Sequence, residues 1–586
     1  MLGQLGDAGG GLTPALERPP LPYAMANASP GLATGAATPA IPVGGGPALP
    51  GDDPAAMARV LAQMANEMFS GGGGVPTSVA PVPSPGEAPH AVTSPPVARG
   101  GVPAAVVPMA LPVGFAPDGA AGFGVPQLDL PTPTAIDAPP AYAVPAPRGP
   151  EHRSSPSPTP SPSPTPIRTE APVRDLGGNA FDARAIRKDF PILEERVASG
   201  KRLIWLDNGA TTQKPRAVID RLTYFYEHEN SNIHRAAHTL AARASDAYEQ
   251  ARETTRKFLN APSASEIIFV RGATEGINLV AQSWGRRNIR SGDEIVITHL
   301  EHHANIVPWQ MLCGETGAKL RVAPVDDRGD VILEAYERLL SPRTRLVAIT
   351  QVSNALGTVT PTRDMVAIAR RYGATVMVDG AQAVSHMPVD VQALDSDFYV
   401  FSGHKVFAPT GIGVVHGKRA VLDAMPPWQG GGNMIADVTF ERTVYQPPPA
   451  RFEAGTGNIA DAVGLGAALD YVMKIGMDVI SRYEHELLVY ATERLATVPG
   501  LHMIGTAREK AGVLSFVLDG QRTEDVGALL DKDGIAVRSG HHCAQPILRR
   551  FGVEASVRAS LAFYNLPEEI DALVDSLRKI QGGRRG

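Results

Sequence analysis

The feature that most constrains the fold of this sequence is an alternation, from Phe181 onward, of short apolar runs with segments of helical periodicity. Helical patterns occur, for example, at Glu275–Trp284 and Arg363–Tyr372. The apolar runs predict buried strands at Ile267–Val270, Glu294–Thr298, Leu346–Gln351, Thr375–Val378 and Phe398–Phe401. Strands that alternate with helices are typical of a sheet covered by helices on both faces. We therefore predict an α/β fold for this part of the chain.

The pattern changes after about residue 460. Two long helical patterns come first, and then a strand at Val513–Leu518, a helix, a strand at Ile535–Arg538 and a terminal helix from Pro567. This order predicts a smaller α+β domain, formed by residues of about 460–586 together with 181–200, beside a large domain of about 200–450. A body of this length has enough residues for one large core and a smaller lobe.

The first 175 residues have a different composition from the rest of the chain. Of the 53 prolines, 36 lie within residues 1–175, and the first lysine is Lys188. Such a sequence buries too little apolar surface to offset roughly 1–2 kcal/mol of backbone entropy per ordered residue. The run 154–166 favours an extended polyproline II spacer. We therefore predict a disordered arm, 1–175, ahead of a folded body, 176–586.

One segment of the arm, 53–70, has the pattern of a short helix. Asp53 is a suitable N-cap, Pro54 suits the first helical position, and the glycines from Gly71 end the pattern. One apolar face is formed by Met57, Val60, Leu61, Met64 and Met68. A lone amphipathic helix in a disordered arm indicates docking into a partner's groove. The alternative is that it folds back onto its own body.

The composition of the whole chain disfavours several classes of protein. A net charge of −6 without a basic block argues against a nucleic-acid binder, and no apolar run reaches the roughly 18 residues of a membrane span. The N-terminal residues do not have the pattern of a secretory signal. Cys313 and Cys543 are too few and too distant for a disulfide framework, which indicates a reducing, cytoplasmic location. We expect no nucleic-acid partner, no membrane partner and no metal site.

Lys405 and Asp379 are the first candidates for chemistry. Lys405 closes the segment Ser402–Lys405 just after one predicted strand, and Asp379 stands just after another. This arrangement suits pyridoxal phosphate (PLP), because the lysine can form a Schiff base and the aspartate can keep the pyridine nitrogen protonated. The alternative interpretation is a surface lysine and an aspartate that caps a helix.

Two further segments support a cofactor site. The turn Arg271–Gly276 follows a predicted strand and opens a helix, and main-chain amides at a helix N-terminus can bind phosphate. His302 follows the strand Glu294–Thr298 and could stack on a ring or move protons. Each segment is weak by itself, because glycine-rich turns are common and a histidine at a strand end often only caps a helix.

Many segments, in order and at similar spacing, resemble the group II cysteine desulfurases, which belong to the class-V aminotransferase family of PLP fold-type I. The resemblance runs from about Phe181 to Gly582. The segments are LDNGATTQKP (206–215), NIHRAAHTLA (232–241), FVRGATEGINLVAQSWG (269–285), EHHANIVPWQMLC (301–313), VSNALGT (352–358), VDGAQAV (378–384), DFYVFSGHK (397–405), PTGIG (409–413), RFEAGTGN (451–458) and VRSGHHCAQP (537–546). This resemblance implies a large domain with a mixed seven-stranded sheet and a smaller α+β domain.

The resemblance also implies a role for each matching residue. The cofactor is bound by Lys405 as the Schiff base, Asp379 at the pyridine nitrogen, Gln382 at the phenolic oxygen, His302 over the ring, and Thr274, Ser402 and His404 at the phosphate. The substrate is bound by Asn354 and Arg558 at its carboxylate, with Arg538 beside the nucleophile. Thr456 reaches the phosphate of the neighbouring subunit, which implies a homodimer with shared active sites. Lys405 and His302 also move protons, and Ala273 stands where the family often has a second hydroxyl.

Cys543 is the nucleophile that the resemblance implies: it takes the sulfur of L-cysteine, leaving L-alanine and a Cys543 persulfide. Its neighbours support this independently, because Arg538, His541 and His542 are groups that can activate a thiol. Cys313 instead lies in an apolar, helix-like stretch, which is typical of an inert thiol. Cys543 lies only 15 residues before Arg558, which is the short loop of the group II type. Turnover is therefore expected to need an acceptor protein or a reductant.

The arm resembles that of cysteine desulfurases packaged as cargo in family 2 encapsulin shells, which carry a short segment much like MARVLAQMANEMFS. We therefore predict a desulfurase inside an encapsulin nanocompartment, for sulfur supply or storage. The alternatives for the body are a selenocysteine lyase, another class-V lyase or aminotransferase, and a scaffold with a vestigial PLP fold. The alternative for the arm is an autoinhibitory or acceptor-binding segment.

Overall fold

A computed structural model describes residues 181–197, 200–233 and 238–583 of the chain. The predicted arm and its helix at 53–70 lie outside the described residues, so those two predictions stay predictions. Among the described residues, no helix is both long and apolar enough to cross a membrane.

The core of the fold is a seven-stranded mixed sheet with helices against it. Its strands, in spatial order, are Ile267–Val270, Gly413–Gly417, Phe398–Ser402, Thr375–Asp379, Thr344–Thr350, Glu294–Thr298 and Lys319–Ala323. Gly413–Gly417 runs antiparallel to both of its neighbours, and the remaining pairs are parallel. The predicted α/β class and the predicted mixed seven-stranded sheet are confirmed.

Two strands of this sheet were not predicted from the pattern. Lys319–Ala323 is an edge strand whose residues are mostly exposed or half-buried, so its sequence lacks a continuous apolar run. Gly413–Gly417 is fully buried, but it begins and ends with glycine and contains His416. Its sequence therefore resembles that of a turn rather than that of a buried strand.

The described helices cover the sheet and form a second layer. Those up to residue 424 are Ala183–Arg187, Arg216–His228, Thr239–Phe258, Ala273–Val280, Arg286–Asn288, Val307–Thr316, Leu333–Leu339, Thr362–Arg371, Val391–Leu394 and Arg419–Ala424. The later ones are Ile459–Ile475, Met477–Ala496, Thr523–Lys532, Gln545–Arg550 and Pro567–Gly582. Short 3₁₀ turns lie at Pro191–Glu194, Ala264–Glu266, His303–Asn305, Gly403–Lys405 and Ala450–Phe452. The helix predicted at 275–284 is Ala273–Val280, which continues as a π-helical turn, Ala281–Gly285.

A four-stranded antiparallel sheet lies in the C-terminal part, in the order Leu501–Ile504, Val513–Leu518, Ser556–Ser560 and Arg538–Gly540. The single strand predicted at 535–538 is wrong, because this segment serves two sheets. Ile535–Ala536 pairs in parallel with Ile204–Trp205, and Val537, which belongs to neither strand, separates it from Arg538–Gly540. Two small hairpins complete the described strands, Arg196–Val197 with Lys201–Arg202 and Ile435–Val438 with Thr443–Tyr445.

The topology brings chemically active residues to one edge of the large sheet. Asp379 ends one strand, Ser402 ends the next, and His302 follows the strand that ends at Thr298. These three strands are parallel, so their carboxyl ends meet at the same edge, where open α/β sheets bind ligands.

Candidate active site

A cavity of about 230 Å³ lies at this edge of the sheet. Most of the predicted site residues line it: Thr274, His302, Asn354, Asp379, Gln382, Ser402, His404, Lys405, Arg538, Cys543 and Arg558. They come from both sheets and from loops that are up to 284 positions apart in sequence, from 274 to 558. The cavity therefore unites the predicted cofactor, substrate and nucleophile residues in one site.

Lys405 and Asp379 are the central charged pair of the cavity. Asp379 is 5% exposed and accepts a hydrogen bond from the Ala381 amide at 2.9 Å, and burial raises the pKa of its carboxyl. Burial lowers the pKa of Lys405 to about 8, although the charge of Asp379 opposes this shift. A lysine with a lowered pKa can be neutral, and thus nucleophilic, near physiological pH.

His302 is held as a neutral ring of defined tautomer. Its Nδ1 accepts the Ala304 amide at 3.0 Å, so the proton of the neutral imidazole is on Nε2. Burial, followed by the nearby charge of Lys405, lowers the pKa of His302 to about 3. The ring therefore stays uncharged and can lie over an aromatic cofactor without repelling a cationic neighbour.

The predicted phosphate cradle lies where the helix Ala273–Val280 begins. The Ala273 amide donates to Ser402 Oγ at 2.8 Å, and Thr274 follows in the first helical turn. A Cβ atom at Gly272 would lie 3.2 Å from Ser402 Oγ, which is tighter than an ordinary contact, so a side chain there would press on the Ser402 hydroxyl. Burial lowers the pKa of His404, which also lines the cavity, to about 4. A helix N-terminus with two hydroxyl groups suits a phosphate dianion.

Gly380 is a residue of this site that the sequence reasoning did not single out. A Cβ atom at Gly380 would lie 2.0 Å from the Tyr399 hydroxyl oxygen. Tyr399 is buried and donates to Gln351 Oε1 at 2.7 Å, so it cannot move aside cheaply. Only glycine therefore allows the turn that carries Asp379 and Gln382. The side chain of Gln382 donates to the Gly209 carbonyl at 2.8 Å.

Arg558 and Asn354 have polar atoms without partners at the cavity. Arg558 donates to the Asn354 carbonyl at 2.9 Å and to Asp207 Oδ1 at 3.1 Å. Its Nε atom and the Asn354 Oδ1 atom are buried and have no hydrogen-bond partner among the described residues. Buried polar groups are rarely left unpaired, so these atoms fit a ligand that brings its own polar groups, such as an amino acid. Arg538 also lines the cavity but is exposed.

Cys543 lies on a short loop that closes one side of the cavity. His542 and Cys543 both have a positive φ, +52° and +54°, in the region that non-glycine residues disfavour. The Cys543 carbonyl accepts the His303 amide at 2.8 Å, and the Cys543 amide donates to His541 Nδ1 at 3.0 Å. Cys313 is half-buried on the helix Val307–Thr316, and burial raises the pKa of its thiol, as expected for an inert cysteine.

Glu301 is another buried residue of this site whose role the sequence did not predict. It is fully buried, and it accepts hydrogen bonds from the Thr298 hydroxyl at 2.6 Å, the Thr350 amide at 3.1 Å and Asn305 Nδ2 at 2.6 Å. These bonds tie the loop that carries His302 to two strand ends. The sequence shows only that Glu301 is an acidic residue next to two histidines, and this does not predict its structural role.

Thr456 does not belong to the cavity. It is exposed and lines neighbouring surface grooves, with its Oγ1 3.5 Å from Asn232 Oδ1. Its predicted contact with the phosphate of a second subunit stays a prediction. Among the described residues, no group of three or more His, Cys, Asp and Glu side chains could hold a metal ion.

Comparison with known proteins agrees with this geometry. Residues 204–573 match the model of the aminotransferase class-V family. The chain is 66% identical over 417 residues to a cysteine desulfurase of Synechococcus elongatus and 54% identical over 401 residues to one of Salmonella agona. The first match covers 71% of this chain and 66% of that relative, and the second covers 68% and 98%. The chain thus spans slightly less than two thirds of the Synechococcus relative's length.

Solved structures agree as well. A crystal structure of the Escherichia coli cysteine desulfurase CsdA has a TM-score of 0.65 and 39% identity, and the match covers 69% of this chain and 99% of that one. A cysteine desulfurase of Thermococcus onnurineus has a TM-score of 0.65 and 38% identity, with 68% and 98% coverage. The chain belongs to the class-V aminotransferase family and, within it, to the cysteine desulfurases. PLP is the cofactor of this family, and the cavity has the lysine, aspartate and phosphate cradle that PLP needs.

Proposed function

We propose that the protein is a PLP-dependent cysteine desulfurase that converts L-cysteine to L-alanine and stores the sulfur as a persulfide on Cys543. The observation that carries this proposal is the single cavity lined by Lys405, Asp379, His302, Arg558 and Cys543. An aminotransferase or a direct lyase needs Lys405 to bind PLP, but its reaction does not require a thiol in the cavity wall.

Different residues of the cavity bind the cofactor, bind the substrate, attack its sulfur and transfer protons. PLP, when bound through Lys405, supplies the electron sink that allows the carbon–sulfur bond of the substrate to break. The free Nε of Arg558 suits the substrate carboxylate, as predicted. The free atom of Asn354 is Oδ1, which only accepts hydrogen bonds, so it suits the substrate amino group rather than the predicted carboxylate. Cys543 Sγ attacks the substrate sulfur, so that an S–S bond forms as the C–S bond breaks. Lys405 Nζ delivers the proton that the Cβ of alanine gains, and neutral His302 can assist through Nε2.

Alanine and sulfide release from L-cysteine with a reductant tests this function directly. We expect equimolar products from the wild type and from Cys313→Ser, the matched control. Cys543→Ser should retain the absorbance of bound PLP but release less than about 1% as much sulfide, because a serine hydroxyl is a far weaker nucleophile. Full activity in Cys543→Ser would point instead to direct lyase chemistry on selenocysteine or a related amino acid.

A homodimer with shared sites is the quaternary structure that we propose, because Thr456 lies outside the cavity of its own chain. Mixed dimers can test it. A hybrid of a Lys405→Ala chain with a Thr456→Ala chain should keep one complete site. A hybrid of wild type with a Lys405→Ala/Thr456→Ala chain should keep none and lose PLP more readily. Equal PLP affinity in the two hybrids would contradict the shared site.

We also propose that the arm, 1–175, targets the enzyme to the inside of an encapsulin shell in the cytoplasm. The apolar face at Met57, Val60, Leu61, Met64 and Met68 supports this, since such a face needs a surface to cover it. Deleting the arm should abolish co-purification with the shell and leave turnover unchanged. Changing Leu61 and Met64 to Asp should weaken loading, whereas exchanging Ser154 and Ser155 for Ala should not. A changed turnover without the arm would favour an autoinhibitory or acceptor-binding segment instead.

A further inference from the structure

The main chain of the nucleophile loop needs outside support. His542 and Cys543 are consecutive non-glycine residues with positive φ. Two such residues in a row do not hold their conformation by themselves, because Cβ crowds the backbone in this region. The contacts of the loop must therefore hold the Cys543 sulfur at the cavity.

Two histidines outside the predicted catalytic set make these contacts. The Cys543 amide donates to His541 Nδ1 at 3.0 Å, and the Cys543 carbonyl accepts the His303 amide at 2.8 Å. His303 Nε2 accepts the Gln545 amide at 3.3 Å. The rings of His303 and His541 stack, with centroids 5.8 Å apart and planes 29° apart. The two rings thus lie together, and the hydrogen bonds of the two residues hold the main chain on both sides of the Cys543 side chain.

His542, which lies between His541 and Cys543 in the loop, is anchored separately. Its Nε2 is 2.9 Å from Ser556 Oγ, and its carbonyl accepts Asn354 Nδ2 at 2.6 Å. The peptide groups of Cys543 and Gln545 are therefore the ones that depend on His303 and His541.

We propose that His303 and His541 are positioning residues that hold the Cys543 nucleophile for sulfur transfer, each acting as a neutral hydrogen-bond acceptor. This inference deepens the proposed function and rests on it. The acceptor role requires the neutral ring, since an imidazolium has donors only. Burial, with the neighbouring His541, lowers the pKa of His303 and so favours that form. The other titratable or charged groups around the loop include Lys405, His302, His542, Arg538 and Arg558.

The two histidines accept through different nitrogens, and this gives a crossed test. The Oδ1 of an asparagine lies near the position of Nδ1, and the Oε1 of a glutamine lies near that of Nε2. His541→Asn and His303→Gln therefore keep each acceptor in place. His541→Gln and His303→Asn carry the same amide with the acceptor displaced by one methylene.

The readout is the rate at which iodoacetamide alkylates Cys543 in the full-length, PLP-loaded enzyme, with Cys313 in the same digest as the internal reference. We expect His541→Gln and His303→Asn to change the Cys543 rate about fivefold or more and to lower kcat about five- to tenfold, with KM for L-cysteine within about twofold. His541→Asn and His303→Gln should lie within about twofold of the wild type. The Cys313 rate should not change in any of the four.

Equal alkylation rates in the four variants and the wild type would overturn the proposal. It is equally overturned if the variants with displaced acceptors behave like those with retained acceptors. A wild-type enzyme that released no alanine would refute the proposed function instead, and the alkylation pattern would still report on the loop.

Discussion

The guanidinium of Arg558 and the carboxylate of Asp207 form an ion pair at the edge of the cavity, with 3.1 Å between NH2 and Oδ1. The Arg558 side chain is 2% exposed and that of Asp207 17%. Burial lowers the pKa of Arg558 and Asp207 opposes this shift, while burial raises the pKa of Asp207 against the charge of Arg558. Asp207 thus keeps Arg558 charged and turned so that one edge, Nε, stays free for a ligand.

Removing this carboxylate should weaken substrate binding more than it slows chemistry. We expect Asp207→Asn to lower kcat/KM for L-cysteine about tenfold, mainly through KM, because the guanidinium loses its orienting partner. The free energy of unfolding should fall by about 3 kcal/mol, since a buried pair loses one charge. Steady-state kinetics and urea unfolding measure the two effects.

The matched control is Glu554→Gln, which breaks the exposed Arg549–Glu554 pair with side chains 60% and 72% exposed. Its unfolding free energy should stay within about 0.5 kcal/mol of the wild type. An Asp207→Asn variant with unchanged KM would show that Arg558 does not depend on Asp207 for its orientation.

Gly380 should tolerate no side chain. The 2.0 Å approach of a Cβ to the Tyr399 hydroxyl requires a shift of the turn between Asp379 and Gln382. We expect Gly380→Ala to destabilise the protein by about 3 kcal/mol or more and to weaken PLP retention, as overpacking of a rigid site does. Gly314→Ala is the control, because nothing lies within 4 Å of its Cβ and it stands in a helix, where alanine is favoured by about 1 kcal/mol. Absorbance of bound PLP and thermal unfolding report the outcome, and wild-type PLP affinity in Gly380→Ala would contradict it.

The sequence predicted the strands that are buried along their whole length and belong to one sheet. Ile267–Val270 and Glu294–Thr298 are buried along their whole length, and for both strands the predicted bounds are those of the structure. The edge strand Lys319–Ala323 was missed because half of its environment is solvent. The prediction of one strand at 535–538 is wrong because two sheets share these residues. The pattern of a short stretch of sequence does not show that its two ends pair with different strands.

The candidate site was predicted largely through its resemblance to a family, and the cavity brings eleven of the twelve cofactor, substrate and catalytic residues together. The missed residues act through the main chain or through other side chains. Gly380 matters for the space it leaves, and Glu301 and His303 matter for the loops they hold. His541 was predicted only as a group that can activate the thiol, and its hydrogen bond to the Cys543 amide was not predicted. Such roles depend on contacts between segments that are distant in the sequence, and the spacing of residues along the chain does not predict these contacts.

The segment that carries Thr456 should depend on a buried ion pair. Glu453 accepts two hydrogen bonds from Arg252, at 2.7 and 3.0 Å, and one from the Phe269 amide at 2.8 Å. We expect Glu453→Gln to cost about 3 kcal/mol of unfolding free energy, because Arg252 stays buried without its counter-charge. Glu249→Gln is the control: Glu249 also contacts Arg252, but its side chain is 53% exposed, and the cost should stay below about 1 kcal/mol. Equal losses in urea unfolding of the two variants would contradict this ranking.

His542 should make the stability of the protein depend on acid. Burial lowers its pKa to about 3, whereas an unfolded histidine titrates near 6.5. Between these two values the unfolded chain binds more protons, so the contribution of His542 is fully present above pH 6.5 and is lost as the pH falls toward 3. The slope from this one group is at most about 1.4 kcal/mol per pH unit.

We expect His542→Gln to flatten the decline of unfolding free energy between pH 6.5 and 4.5 by up to this amount, measured by urea unfolding at each pH. His502→Gln, at an exposed position of the strand Leu501–Ile504, is the control for the replacement of a histidine by glutamine. An unchanged slope in His542→Gln would mean that the buried ring takes up its proton without unfolding.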